Sequence, residues 1–158
     1  MQTKKIIAPY GTWISPITAD VVSRAQKRLH GVAVDGHGHL LWVDSRPSEA
    51  GRGVLVKEAD KHGDEPIDIT PKDFAVRTLV HEYGGQVFAV SGDMVVFSNY
   101  KDQRLYRQII GDSFPLPITP DYGGSTVRYA DGMFDSCSKN YVTVMEGRLL
   151  ILSNPFEH

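Results

Sequence analysis

The feature that most constrains this chain of 158 residues is a recurrence. The string "DIT" stands before Pro71 and "PIT" before Pro120, and each closes a group of short apolar runs, so that Thr70 and Thr119 lie 119 − 70 = 49 residues apart. A second pair of strings, "HLLWVDS" and "DMVVFSN", superposes Trp42 on Phe97 at 97 − 42 = 55. The runs themselves are "GVAVD", "LLWVDS", "VLVKE" and "PIDIT", then "QVFAV", "MVVFS", "RLYRQI" and "LPIT", then "MFDS", "YVTVM" and "RLLIL". They are rich in Val, Leu, Ile, Phe, Tyr and Trp and are parted by Gly, Asp, Asn, Ser and Pro, the pattern of strands and turns. A unit of roughly 50 residues carrying four strands has the length of a β-propeller blade with long loops.

The expected fold is therefore all-β, the first two to three four-stranded blades of a propeller. A partial propeller is expected over 31–145, with blades near 31–71, 86–120 and 127–152, preceded by an N-terminal segment, 1–30, and followed by a divergent tail, 146–158. In the N-terminal segment, "TADVVSRAQKRL" suggests a short helix capped by Thr18, with Asp20 at its positive end. A single blade buries little alone, because both faces of its sheet need a neighbour. Propellers close with four to eight blades, so three units leave apolar faces bare at both ends.

Hydrophobic residues at 41% and charged residues at 23% are close to the globular average and far from the signature of disorder. The net charge of −2 and the absence of any basic run longer than Lys4-Lys5 or Lys27-Arg28 argue against a nucleic-acid partner. No apolar run approaches the roughly 20 residues that span a bilayer. The stretch Ile6-Ile7-Ala8 before Pro9 is too short for a signal-peptide core. The single cysteine, Cys137, cannot form an internal disulfide. Together these make the cytoplasm the expected compartment.

No motif supplies a complete reaction centre. His81-Glu82 in "VHEYGG" lacks the second histidine that a zinc site on one helical face would need at position 85, which is Gly85. Gly84 and Gly85 instead suit a turn leading into "QVFAV". The nucleophile motif Gly-x-Ser-x-Gly is absent, and its nearest string, "GDSFP", makes Ser113 a loop residue. Cys137, in "DSCSKN", has no motif of a nucleophile. "GHGH" offers His37 and His39 at an expected hairpin turn, and no spacing joins them to His81 as metal ligands. Lys101, Asp102 and Arg104, in "SNYKDQRLY", read as blade-edge charges of the kind that serve solubility, and a binding role on a loop of a rigid scaffold stays open beside that reading. No catalytic, cofactor-binding or metal-binding residue is assigned.

The strings "APYGTWISPITAD", "AVDGHGHLLWVDSRPSEAGRGVLV", "VRTLVHEYGGQVFAVSGDMVVFSNYKDQRLY" and "TPDYGGSTVRYADGMFD" together resemble the prolyl oligopeptidase family of serine peptidases, in its plant-type acylaminoacyl-peptidase or dipeptidyl-aminopeptidase-like members. The likeness runs from about Ala8 to Met145. It implies a propeller of six or seven blades that gates a separate hydrolase domain and selects short peptides for it. The Ser-Asp-His triad of the family falls beyond the matched strings, so the resemblance carries no catalytic residue onto this chain, and a peptide substrate is implied only for the complete protein. The string "EGRLLILSNPFEH" departs from the family pattern. The alternative reading is a stand-alone interaction module that pairs with a protein partner through open blade edges.

Overall fold

The computed structural model describes residues 7, 9–12, 17–18, 28–61, 63–82, 84–112, 114–124, 126–135, 137 and 140–147. Ten strands appear among them: β1 (Arg28–Val34), β2 (Leu40–Arg46), β3 (Arg52–Lys57), β4 (Ile67–Asp68), β5 (Phe88–Ser91), β6 (Met94–Ser98), β7 (Leu105–Ile109), β8 (Leu116–Pro117), β9 (Val127–Asp135) and β10 (Asn140–Gly147). They form three antiparallel sheets in chain order, β1-β2-β3-β4, β5-β6-β7-β8 and β9-β10. The all-β expectation holds, and the first ten apolar runs each meet a strand. "RLLIL" and most of the expected tail lie outside the described residues. So do residues 19–27 of the expected helix, but its last two positions, Arg28 and Leu29, are strand. The first strand thus begins three residues before Gly31. No helix among the described residues is long and apolar enough to cross a membrane.

The recurrence seen in the sequence is a recurrence of hydrogen bonds. The Leu55 amide donates to Thr70 Oγ1 at 3.1 Å and the Leu105 amide to Thr119 Oγ1 at 3.1 Å. One step back, the amides of Ile69 and Ile118 donate to the carbonyls of Leu55 and Leu105, at 2.8 and 2.9 Å. The threonine hydroxyl takes the amide that the ladder would otherwise give to the residue before it, and the proline that follows has no N–H to continue the strand. The released Ile69 carbonyl accepts from Gln108 Nε2 at 2.9 Å, which ties the outer edge of the first sheet to the second.

Side-chain alternation then decides the packing, since successive residues of a strand point to opposite faces. Leu41, Val43, Leu55 and Ile69 of the first sheet meet Phe88, Val95, Phe97 and Tyr106 of the second in one buried cluster. The intervening Val96, with Leu105, points the other way and packs against Tyr129, Val127, Phe134 and Tyr141 of the third. The second sheet is therefore covered on both faces. Each such buried side chain contributes about 1.5–3 kcal/mol against exposure.

The first and third sheets share a finer signature at an offset of 100 (128 − 28). Each opening strand carries a one-residue bulge whose residue is left-handed, Gly31 at φ 59° and Asp131 at φ 53°. Four residues further on, Asp35 Oδ1 accepts the His37 amide and Asp135 Oδ1 accepts the Cys137 amide, both at 2.9 Å. Burial alone would raise the Asp35 carboxyl, yet the backbone amides of His39 and His37 and the His39 ring hold it below its ordinary value.

The tyrosines at the two interfaces report on this packing. Burial, helped by a hydrogen bond to Asp102, pushes the Tyr106 hydroxyl up to about 12, and burial alone does the same for Tyr141. A raised folded value means that their contribution is fully present below pH 10 and is lost as pH rises from 10 to about 12. A tyrosinate absorbance titration is expected to show both ionising late. Loss of that delay in 6 M guanidinium (a concentration of about 6 M unfolds ordinary domains) would tie it to the fold, and its absence in the native protein would refute the packing described here.

Candidate functional site

The string Val80 to Gly85 lies in the linker from the first sheet to the second, where it meets the third sheet. Val80 is fully buried, while His81 and Glu82 adopt left-handed φ values of 52° and 67°. The Glu82 amide donates to the Leu79 carbonyl and the Gly84 amide to the Val80 carbonyl, both at 2.9 Å, which makes this a tight turn. The positive φ expected of both glycines belongs only to Gly84, at 94°. Gly85 is needed for a different reason: a methyl group there would sit 3.0 Å from Ala130 Cβ and from both Asp131 oxygens.

That closeness is used. Gln86 donates its amide to Asp131 Oδ1 at 2.8 Å and accepts the Asp131 amide at 3.0 Å. The His81 amide donates to Glu146 Oε2 at 2.9 Å, and the Arg128 guanidinium donates to the Leu79 carbonyl at 2.7 Å while lying 3.9 Å from Glu146. The turn is thus read by three charged residues of the third sheet. Asp131, Arg128 and Glu146 were not singled out in the sequence, because none stands near "VHEYGG" along the chain.

His37 and His39 occupy the β1–β2 turn, with ring centroids 6.2 Å apart. Each faces carboxylates: His37 Nε2 lies 3.0 Å from Asp93 Oδ1, and His39 lies 3.0 Å from Asp35 Oδ2 and 3.7 Å from Asp60 Oδ1. Together with the Gly36 amide donating to the Gly92 carbonyl at 3.0 Å, the first of these pairs joins the neighbouring turns of the first two sheets. Among the described residues no group of three His, Cys, Asp or Glu side chains is placed to hold a metal ion. Cys137 is exposed. Ser113 lies outside the described residues.

The reading of "SNYKDQRLY" needs correction. Lys101 is exposed, but Asp102 and Arg104 are half-buried and fully engaged. Asp102 accepts from Asn99 Nδ2 at 3.0 Å, from the Arg104 amide at 3.1 Å and from the Tyr106 hydroxyl at 2.6 Å. Arg104 donates to the Thr119 carbonyl through Nε at 3.0 Å and Nη2 at 2.7 Å. Between them Gln103, fully buried and left-handed at φ 57°, accepts the Leu79 amide at 2.8 Å. These groups build the hairpin and its hold on the linker, which explains why they are charged and yet withdrawn from solvent.

A cleft of about 360 Å³ opens between the first sheet and the linker at 76–87, with Arg28, His30 and Arg77 among its walls and no carboxylate among the described residues that line it. Nothing in the geometry described pairs a nucleophile with a base. What the arrangement does chemically is hold three sheets in register.

No family model and no curated protein matches the chain. Solved structures do. The structure of a Mycobacterium tuberculosis puromycin-hydrolyzing peptidase matches with a TM-score of 0.77 and 36% identity, over 92% of this chain and 22% of that one. A crystal structure of puromycin hydrolase matches with a TM-score of 0.65 and 35% identity, over 85% of this chain and 21% of that one. A mutant of puromycin hydrolase complexed with PGG gives 0.62 and 37%, over 80% and 20%. This chain spans about a fifth of the length of those proteins. In sequence and in the course of its sheets, the chain resembles an N-terminal portion of a prolyl oligopeptidase family peptidase related to the puromycin hydrolases.

Proposed function

We propose that this chain is a non-catalytic part of a serine peptidase, the opening blades of a β-propeller that screens short peptides from a catalytic site carried elsewhere in the complete protein. The observation that carries the reading is the repeated lock of Leu55 on Thr70 and Leu105 on Thr119, which makes the first two sheets copies of one four-stranded unit stacked face to face. Stacked repeats of this kind are how a propeller is built. The likeness to puromycin hydrolases supports the assignment to a peptidase, and the order of the sheets supports reading the blades as 31–71, 86–120 and 127–152. The peptide substrate belongs to the complete protein; the cytoplasm is its proposed compartment.

The test is hydrolysis by the purified chain. Against aminoacyl and acyl-peptide chromogenic esters and amides, turnover is expected to stay at the buffer blank. Turnover that survives repurification and is abolished by a serine-directed inhibitor would overturn the non-catalytic reading.

A further inference from the structure

The offset of 100 places Arg28 where the third sheet has Arg128. Arg128 stands opposite Glu146 across β9 and β10, with its guanidinium 3.9 Å from that carboxylate. Arg28 stands opposite Ser45, so the carboxylate that answers the third-sheet arginine has no counterpart in the first sheet. Arg46, Arg52 and Arg104 also face carboxylates, those of Asp68, Glu49 and Asp121. Among the described residues, neither Arg28 nor Arg77 does. Both are exposed, and both line the cleft between the first sheet and the linker.

Strand pairing explains how the cleft comes to be basic. Arg28 and His30 pair with Ser45 and Val43, and Val43 belongs to the core shared with the second sheet, so their side chains share the face that looks toward that sheet. Strict alternation would pass that face from His30 to Val32. The bulge at Gly31 passes it to Ala33 instead, which packs on the core and leaves Arg28 and His30 at its end. Asp44, between Val43 and Ser45, takes the opposite side of β2. Asp131 lies beside Gly85 without lining the cleft, and its Oδ1 accepts the Gln86 amide. On the other wall Arg77 is held at both ends: its amide donates to the Ser98 carbonyl at 3.1 Å, and its guanidinium carbon lies 5.1 Å from the centre of the Tyr100 ring. Neither contact uses a guanidinium N–H, so those donors stay available to a ligand.

We infer that this cleft binds the carboxylate end of a short peptide, with Arg28 and Arg77 as its charged donors. The His30 imidazole offers an N–H in either protonation state. Thr78 Oγ1 accepts the Val80 amide at 3.3 Å, which leaves its O–H to donate as well. The backbone on this side is already committed: Gly51, Val76, Arg77, Gly84 and Gln86 all donate their amides within the protein. These residues therefore form no nest of free N–H groups of the kind that cradles a phosphate, and the side-chain donors that remain suit a planar carboxylate. A volume of about 360 Å³ is at the lower end for small-ligand sites and admits the last residues of a peptide. Every described residue of the wall lies between positions 28 and 87, within the first sheet, the linker and the entrance to the second. The inference rests on the reading of this chain as the peptide-screening part of a peptidase, which supplies the ligand class.

NMR titration of the ¹⁵N-labelled full chain tests it, with N-acetyl-dialanine, its C-terminal amide, acetate and inorganic phosphate as probes at constant ionic strength. The acid is expected to move the amide signals of Gly51, Thr78 and Gln86 with a dissociation constant of about 1 mM. The amide, which lacks the charge, is expected to bind at least about tenfold more weakly, as the loss of a hydrogen bond to a charged group implies. Arg28→Gln and Arg77→Gln are each expected to weaken the acid by about tenfold while leaving the amide's affinity as it was, a split that damage to the fold does not produce. Arg107→Gln, an exposed change on β7 outside the cleft, is expected to alter neither. Should an arginine variant fail to fold, the comparison of acid with amide on the unaltered chain still decides. Equal binding of acid and amide, or shifts that avoid those three signals, overturns the inference. Acetate or phosphate binding as tightly as the acid assigns the cleft to a free oxyanion and overturns the peptide. Turnover enters none of these readouts, so failure here removes the cleft alone, and hydrolysis by the purified chain removes the non-catalytic reading alone.

Discussion

Phe97→Ala is expected to cost about 3–5 kcal/mol of folding stability, the range for emptying a well-packed aromatic site. The ring is fully buried, meets Phe74 edge-on at 6.1 Å and stacks on Tyr106 at 6.0 Å, all within the cluster shared by the first two sheets. A loss of that size is a large part of the roughly 5–15 kcal/mol that ordinary domains possess. Urea denaturation followed by tryptophan fluorescence measures it, with Ile109→Ala as the control: Ile109 is 42% exposed, and its truncation is expected to move the midpoint little. If the two substitutions shift the midpoint equally, the first two sheets do not share a core and the packing argument fails.

The second large effect comes from adding one carbon. Gly53 lies on β3 with an ordinary backbone conformation, but its α-carbon faces the Val76 carbonyl, whose residue also donates its amide to the Gly53 oxygen at 2.8 Å. A methyl group at 53 would overlap that carbonyl oxygen and crowd Val43. The obstacle is backbone rather than the end of a flexible side chain, so relief requires the linker to leave the sheet. Gly53→Ala is expected to cost about 2–3 kcal/mol, the upper part of the overpacking range. Gly147→Ala, with open space around the new methyl, is expected to be near neutral, and equal midpoints for the two variants would sink the claim.

Much of the fold was legible because strand alternation and turn chemistry are local. The runs at 40–45 and 94–98 announce themselves, and Thr70 and Thr119, noticed as landmarks, are the residues that close each four-stranded unit. The bulges were not legible in the same way. At Gly31 the residue suits a left-handed conformation, but at the matching place the chain has Asp131, with its glycine one position later, so the repeat is disguised in the letters. Gly132 is required there by the Tyr141 side chain, which occupies the space a methyl group would take. The hairpin charges misled for a related reason. Asp102 and Arg104 look like surface residues until their partners, Tyr106 and the Thr119 carbonyl, are brought beside them by the fold. The reading of "VHEYGG" as a turn needed only its own glycines, whereas its partners Arg128, Asp131 and Glu146 lie 45 to 65 residues away.

Those separations set an order of events on the ribosome. The linker's bonds to Asp131, Arg128 and Glu146 all point toward residues translated later, so as the chain emerges the turn at His81 has no hold on Arg128 and Asp131 until β9 is made, and none on Glu146 until β10 follows. Each newly synthesised sheet fastens the junction behind it, and a pause before residue 146 leaves the hold of Glu146 on the His81 amide unmade. Assembly of this molecule is thereby coupled to the direction of synthesis, as a zipper is to the direction of its slider.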